Sequence, residues 1–308
     1  MTPLHDELRD CLDEGRPDLL TLRDTSEPRD RALSLLAIHQ LHLAPVHELG
    51  HRVVLQHDPV LCEVKHRLET SFIHELDRAT AAHVDAAPED VREALLDIAV
   101  ADRLPAVYRW LAEGSTWSEL VDFLAVEGGP DGGFDDLVAL CQVGLSGEAK
   151  LELARNYWDE MGNGSLARVH TVLHERLTAA CGLGRTAIED LPTEALERSA
   201  LNGLLATNRY LQPELVGSLG MTELQAGPRC RLVVKALERL GAPADAFAFY
   251  TEHAEVDPRH GHDWVENAVK PLVAAYPDWS RRIVRGAAWR EWTNARFFSA
   301  VAPGALAA

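Results

Sequence analysis

Phe249-Tyr250-Thr251-Glu252-His253-Ala254-Glu255-Val256-Asp257-Pro258-Arg259-His260-Gly261-His262 is the stretch on which the reading of this chain turns. His253, Asp257 and His260 stand at i, i+4 and i+7. At about 100° per residue they fall within roughly 60° of one another on one helical face. Two imidazoles and a carboxylate on one stripe are a ligand set suited to iron, manganese or zinc. The plainer reading is a polar, solvated face in a chain rich in His and Asp. Pro258 removes a backbone donor, so the expectation is a helix kinked or loosened between the second and third ligands.

Outward from that stretch the chain reads as helical almost throughout. Leu, Ala, Glu and Arg dominate, and apolar residues recur at three- and four-residue spacing. Pro59, Pro88 and Pro258 each fit a first helical turn. Thr116 with Glu119 fits a capping box, and Ser165 and Thr193 fit N-caps. Gly114, Gly162-Asn163-Gly164, Gly182 and Gly241 are stop signals. Arg52-Val53-Val54-Leu55 and Leu232-Val233-Val234 lie within helical periodicity and read as helix. Glu127-Gly128-Gly129-Pro130-Asp131-Gly132-Gly133 is a loop after a helix from Trp117 to Val126, and Thr25-Ser26-Glu27-Pro28 is a second soft point. No repeat at a fixed period is present.

The 308 residues carry 30 Lys+Arg against 48 Asp+Glu, a formal net charge of −18. Such acidity argues against nucleic acid and against an anionic membrane surface as partners. No apolar run approaches the roughly 18 residues of a membrane span. The acidic start, MTPLHDELRDCLDEG, lacks the basic-then-apolar layout of a secretory signal. Five scattered cysteines (Cys11, Cys62, Cys141, Cys181, Cys230) with no CxxC spacing read as reduced thiols. The expectation is a cytoplasmic protein. Nine of the fourteen histidines lie in residues 1–83, none in 84–169 and five in 170–262.

Two further constellations bear on chemistry. Glu160 closes Asn156-Tyr157-Trp158-Asp159-Glu160-Met161-Gly162-Asn163-Gly164 and is followed by His170, with His174 as a substitute. Alone, this is the ordinary end of a helix. His47-Glu48-Leu49-Gly50-His51 matches the zinc-peptidase HExxH pattern, in which one helical turn presents two imidazoles and the Glu polarises a water. His57 falls where the longer pattern has its third ligand. Against a peptidase stand Val54 where that pattern has Gly, Gly50 inside the helix, and the want of strands to hold a peptide.

Taken together, the HxxxDxxH of His253, Asp257 and His260 and the earlier segment Leu153-Ala154-Arg155-Asn156-Tyr157-Trp158-Asp159-Glu160, ending on His170, resemble the heme-oxygenase-like diiron oxidases and oxygenases, also described as iron-containing redox enzymes. The likeness covers roughly residues 100–295. It implies an all-α, heme-oxygenase-like bundle of about seven helices over 101–300. Residues 1–100 form an N-terminal helical extension, packed with the bundle as one body, and 301–308 a frayed tail.

The resemblance also implies two Fe(II)/Fe(III) ions per chain, with dioxygen as co-substrate. Their ligands would be Glu127, Glu160, His170, His253, Asp257 and His260. Glu127 fills the place of one more carboxylate from an earlier core helix, with Glu119 and then Glu152 as fallbacks. His262 adds a competing imidazole. Three carboxylates against two ferrous ions leave little net charge to bury, and imidazoles favour iron over magnesium or calcium. Tyr157, Trp158, Phe249, Tyr250 and Trp264 flank the ligands as pocket walls or as plain core.

The implied function is O2-dependent oxidation of a small molecule, best read as N-oxygenation of an amine to a hydroxylamine or nitro product in natural-product biosynthesis. The alternative at the same site is oxidative C–H or C–C cleavage of an amino or fatty acid. An external electron donor and a homodimer are expected. The competing readings are the zinc metallopeptidase at 47–51, a non-catalytic helical binding protein and, least, heme degradation.

Overall fold

The computed structural model describes residues 2–23, 25–101, 104–127, 133–184 and 186–303, and among them there is no strand. In chain order the α-helices are α1 (Leu4–Glu14), α2 (Pro28–Leu43), α3 (Val46–Leu49), α4 (Pro59–Ala86), α5 (Val91–Ala101), α6 (Ala106–Glu113), α7 (Trp117–Glu127), α8 (Phe134–Cys141), α9 (Gly147–Glu160), α10 (His170–Cys181), α11 (Thr193–Thr207), α12 (Gln212–Leu240), α13 (Ala248–Asp263), α14 (Lys270–Ala275) and α15 (Trp279–Val301). A π-helical segment, Trp264–Val269, joins α13 to α14. The predicted loop residues Gly128–Gly132 and the tail from Gly304 lie outside the described residues.

Local chemistry explains many of the boundaries. Asp58 caps α4 through the amides of Val60 and Leu61, with Pro59 in the first turn. Thr116 and Glu119 form the expected reciprocal box: the Thr116 amide donates to Glu119 Oε2 at 2.8 Å and the Glu119 amide to Thr116 Oγ1 at 3.3 Å. Gly182 and Gly241 end α10 and α12 in the left-handed conformation. Four expectations need correction, the first being Pro258, which lies well inside α13 and not in its first turn. Pro88 lies before α5, outside its first turn. Ser165 precedes only the 3-10 turn Leu166–Arg168, and Val169 precedes α10. Thr193 is the first residue of α11, with Pro192 at the cap position.

The long helix α12 is the axis of the molecule, with α13 and α15 along it and α6 beside it. Glycines set how closely these helices approach. A Cβ on Gly220 would stand 2.7 Å from the Trp264 indole, one on Gly227 2.9 Å from Pro258 Cδ, and one on Gly261 3.0 Å from the Glu223 carbonyl oxygen. Gly217 and Gly286 do the same between α12 and α15, where an added methyl would run into the backbone of Ile283 and Glu214. The N-terminal helices lie on this frame. α2 packs along α11 and α4 along α15, and one apolar core runs from Leu4 to Phe298. Arg285 on α15 holds Asp77 of α4 at 2.7 Å and Glu214 of α12 at 3.0 Å. None of the described helices is long and apolar enough to cross a membrane.

Pro258 does not break α13. Proline at 258 deprives the Ala254 carbonyl of its helical donor. Arg231 of α12 supplies one instead, its guanidinium donating to Ala254 O at 3.1 Å. The helix therefore runs on through the His253–His260 stripe.

Candidate metal centre

Glu160, His170, His253, Asp257 and His260 are brought together by three helices. Glu160 is the last residue of α9 and His170 the first of α10. The nine residues between them reverse the chain through Gly162 at φ 60° and Asn163 at φ 54°. A side chain at Gly162 would strike the Arg168 backbone, so this close return depends on glycine. α13 supplies the other three. The loop is tied to α13 by Arg168 on Glu252 at 2.8 Å.

Two groups of ligand atoms form, each lying within 4.8 Å of one another: Glu160, His170 and His253, and Glu160, Glu223 and His260. Glu160 belongs to both. Asp257 stands beside the second, its Oδ1 at 4.0 Å from His260 Nδ1. Glu223, on α12, is a member that sequence reasoning missed. Its Oε2 lies 3.6 Å from His260 Nδ1, and its Oε1 accepts from Asn156 Nδ2 at 2.7 Å. The close contact at Gly220, Gly227 and Gly261 is what lets an acid on α12 reach α13. That glycine spacing around a lone Glu was the available signal.

Glu127, the carboxylate expected here, is not among these groups. It accepts from the hydroxyls of Tyr108 and Tyr250, both at 2.9 Å. Glu119 is used up in its capping box, and Glu152 is held by Arg155 and Asn267. His174 packs its ring edge on Phe249. His262 is exposed and faces away from the buried stripe.

The imidazoles are oriented from behind. His260 Nε2 donates to Asp159 Oδ2 at 2.9 Å, which turns Nδ1 toward Glu223 and Asp257. His253 Nδ1 donates to the Phe249 carbonyl at 2.7 Å, leaving Nε2 as its free nitrogen. Such partners are the usual means of fixing a metal-binding histidine. Glu160 Oε2 lies 2.7 Å from His170 Nδ1.

The cluster has more acid than base to balance it. Burial first, then Glu223, Glu160 and Glu252, pushes the Asp257 carboxyl well above the usual range. Burial disfavours a charged His260, but Glu223 and Asp159 outweigh it and raise the imidazole to about 9. His170 is likewise raised by Glu160 against its burial, while burial lowers His253. Asp257 Oδ2 and His260 Nδ1 are buried with no hydrogen-bond partner. Unpartnered polar atoms in a crowded, buried cluster of carboxyls and imidazoles are costly, and a cation that displaced their protons would take them up. With three imidazoles among the donors, the set fits iron.

Of the aromatics that flank the ligands in sequence, Phe249 lies against the His253 ring at 4.4 Å. Tyr250 is buried on Glu127, and Trp264 is core, its indole donating to the Val216 carbonyl at 3.1 Å. Tyr157 is half-buried, and Trp158 is half-exposed over Gly164. The HELGH segment is not a two-ligand turn. α3 ends at Leu49, Gly50 takes φ 57°, ψ −132°, and His51 turns to the Asp13 carbonyl.

A 145-residue stretch of the chain is 29% identical to the nitrosourea synthase of Streptomyces achromogenes subsp. streptozoticus, covering 44% of this chain and 30% of that protein. The match thus spans less than a third of the relative's length. Among solved structures, a CADD-like protein of unknown function from Nostoc punctiforme PCC 73102 overlays with a TM-score of 0.41 at 17% identity, over 76% of this chain and 94% of that one. The model of the iron-containing redox enzymes matches residues 122–294, more than half of the chain and all of the clustered ligands. The protein belongs to that family, the iron-containing redox enzymes of heme-oxygenase-like helical fold.

Proposed function

We propose that the protein is a nonheme diiron, dioxygen-dependent oxygenase of a small molecule, and that its reaction is N-oxygenation of an amine. One observation carries the diiron reading: two ligand groups, buried except for the half-buried His253, share the Glu160 carboxylate. Glu160, His170 and His253 would hold one ion, and Glu160, Glu223 and His260 the other, with Asp257 beside the second. Two irons, when bound, supply the electrons for reducing dioxygen, which side chains alone cannot supply.

The chain's own groups do the positioning. Asp159 holds the proton of His260 Nε2, so that Nδ1 is the nitrogen that would give up its proton to a bound ion. The Phe249 carbonyl does the same for His253 in the opposite sense. Asn156 fixes one oxygen of Glu223 and leaves the other free. Burial keeps bulk water off the carboxylates, which strengthens each of these contacts. The amine reading draws on the relative named for making a nitrosourea, a product that carries an oxidised nitrogen. The chain's net charge of −18 is compatible with a cationic substrate.

The test begins with anaerobic, metal-free protein titrated with ferrous iron and mixed with oxygenated buffer in a stopped-flow spectrometer. The expected result is saturation at two irons per chain and a transient visible band, both lost in His253→Ala and Glu160→Ala. Amine candidates should then hasten decay of the band and appear as hydroxylamine or nitro products by mass spectrometry. Saturation at one iron, or no transient with iron and amines in excess, overturns the diiron oxygenase. A transient whose decay only amino or fatty acids hasten, with alkene or fragment products, overturns the amine assignment.

A further inference from the structure

Trp158 and Leu166 are large apolar side chains that the fold leaves in water, 53% and 76% exposed. Trp158 is near the end of α9, and Leu166 is in the 3-10 turn between α9 and α10. Glycine makes room for the indole: Gly164 takes φ 81°, and a Cβ there would stand 3.0 Å from the Trp158 ring. Leu151, also exposed, is two turns earlier on the same face of α9. Three arginines accompany them. Arg155 is one turn before Trp158, Arg168 closes the turn that holds Leu166, and Arg259 of α13 reaches Asp159 at 3.3 Å.

Each arginine leans on an acid that lies deeper than itself. Arg155 is 61% exposed over Glu152 at 6%, Arg259 65% over Asp159 at 16%, and Arg168 55% over Glu252 at 28%. In surface pairs such as Arg16–Asp18 and Arg281–Asp85 the two partners are about equally exposed. Here the outer layer is cationic and the acids are beneath, in a chain whose net charge is −18. Tryptophan and arginine are the residue types that most often anchor protein contacts. The face is also the outer side of the ligand-bearing segments. Trp158 is two residues before Glu160, Arg168 two before His170 and Arg259 one before His260.

We infer that this face docks a small acidic electron-carrier protein of the [2Fe–2S] ferredoxin type. The choice of carrier rests on the amine-oxygenation reading above. In that reaction the O–O bond breaks, one oxygen joins the nitrogen to give a hydroxylamine, and the other leaves as water. The balance takes two electrons, which the carrier supplies one at a time, and two protons from solvent. The face has the right size and character. A few apolar side chains among arginines suit the small contact of a transient electron-transfer pair, whereas an obligate subunit face is larger and more apolar. Two acidic proteins repel at long range, but at physiological salt that repulsion is screened beyond about 8 Å. Docking is then decided by the charges that meet, and carboxylates of the carrier meet Arg155, Arg168 and Arg259.

The test is binding, which needs neither iron nor dioxygen. Full-length protein is titrated with an oxidised plant-type [2Fe–2S] ferredoxin in a calorimeter, at low and at physiological salt. The expected result is a one-to-one complex that weakens as salt rises. Trp158→Ala, and Arg155→Ala combined with Arg259→Ala, should each weaken it at least about tenfold. Leu166→Asp, at an exposed tip outside the core, should do the same with an unchanged urea midpoint. Arg281→Ala, on the far pair with Asp85, should leave binding unchanged. No complex, or an affinity that none of the three face variants lowers, overturns the docking face. Tighter binding of an acidic acyl-carrier protein through the same residues overturns the electron-carrier assignment. So does self-association in the ultracentrifuge that the same variants abolish. Ferredoxin binding as expected, beside iron that gives no transient with dioxygen, overturns the oxygenase reading and leaves the docking face standing. A transient without a complex does the reverse.

Discussion

Two buried histidine–carboxylate clusters lie in this protein, built to opposite rules. In the N-terminal half, Glu69 Oε1 receives His39 Nε2 at 2.9 Å, Lys65 Nζ at 2.8 Å and Asn208 Nδ2 at 2.8 Å. One carboxylate meets one ammonium, and burial keeps the imidazole neutral against the pull of Glu69. The loose end is the lone pair of His39 Nδ1, set against Gly203. Around Glu160, by contrast, the carboxylates of Glu160, Glu223 and Asp257 share the imidazoles of His170, His253 and His260, and Asp257 Oδ2 is left without a partner. A cluster that serves only the fold closes on itself, whereas one meant to take a ligand stays open at the protein's expense.

Removing an acid from each should therefore move stability by different amounts. Glu69→Ala strands Lys65, His39 and Asn208 in the core, and should cost about 3–5 kcal/mol, the usual price of breaking a buried pair. Urea unfolding reads this, and iron uptake should not change. A cost under about 1 kcal/mol would mean that water, not protein, satisfies the site. Glu223→Gln keeps the acceptor for Asn156 and deletes a charge that both opposes Asp257 and holds the His260 proton, two effects of opposite sign. The metal-free variant should lose far less stability than Glu69→Ala, while iron affinity in a chelator competition falls by about a hundredfold. If Glu223→Gln destabilised the metal-free protein as Glu69→Ala does, the open cluster would be structural after all.

Asp159 separates orientation from ligation. Asp159→Asn can still accept from His260 Nε2, yet no longer as an anion, so iron affinity should fall by about tenfold with stability little altered. Arg259→Ala is the control, since it removes only the exposed partner of Asp159 at 3.3 Å. It should leave affinity nearly unchanged, as exposed ion pairs generally contribute little. Equal losses in the two variants would place the effect in surface charge and not in the imidazole.

Much of the fold was legible because it is local. Periodicity marked the helices, and Thr116 with Glu119 marked a start that the structure realises. The i, i+4, i+7 stripe of α13 was legible for the same reason: one helix carries all three residues. What failed was long-range. The helix survives Pro258 because Arg231, on another helix, takes the freed carbonyl. Glu127 sits at a plausible distance along the chain, and its bonds to Tyr108 and Tyr250, from two other helices, were not legible there. Glu223 lacks a partner at helical spacing. Gly220 and Gly227 announce that something packs close to α12, without saying that it is α13. HELGH failed locally, at Gly50, whose backbone conformation ends the turn.

The smallest expected effect distinguishes the two regions by pH. His42, at the end of α2, is half-buried with its ring edge toward His57 and Nδ1 on Gln56. Burial first, then the Lys65 charge, lowers it from 6.5 to about 4. Between those values the unfolded chain binds a proton that the folded chain refuses, so this region loses stability as pH falls from 6.5 toward 4. Asp257 works in the other direction. Its folded carboxyl keeps a proton that the unfolded chain has released, so its contribution is fully present at low pH and is lost as pH rises through its elevated value. In metal-free protein the two slopes partly cancel. His42→Gln removes one of them, so its urea midpoint should fall less than that of the wild type between pH 7 and pH 5. Asp257→Asn removes the other and should make the fall steeper. Superimposable pH profiles for the wild type and His42→Gln would show that the His42 ring is hydrated in solution, and that the N-terminal cluster closes at Glu69 without reaching His42.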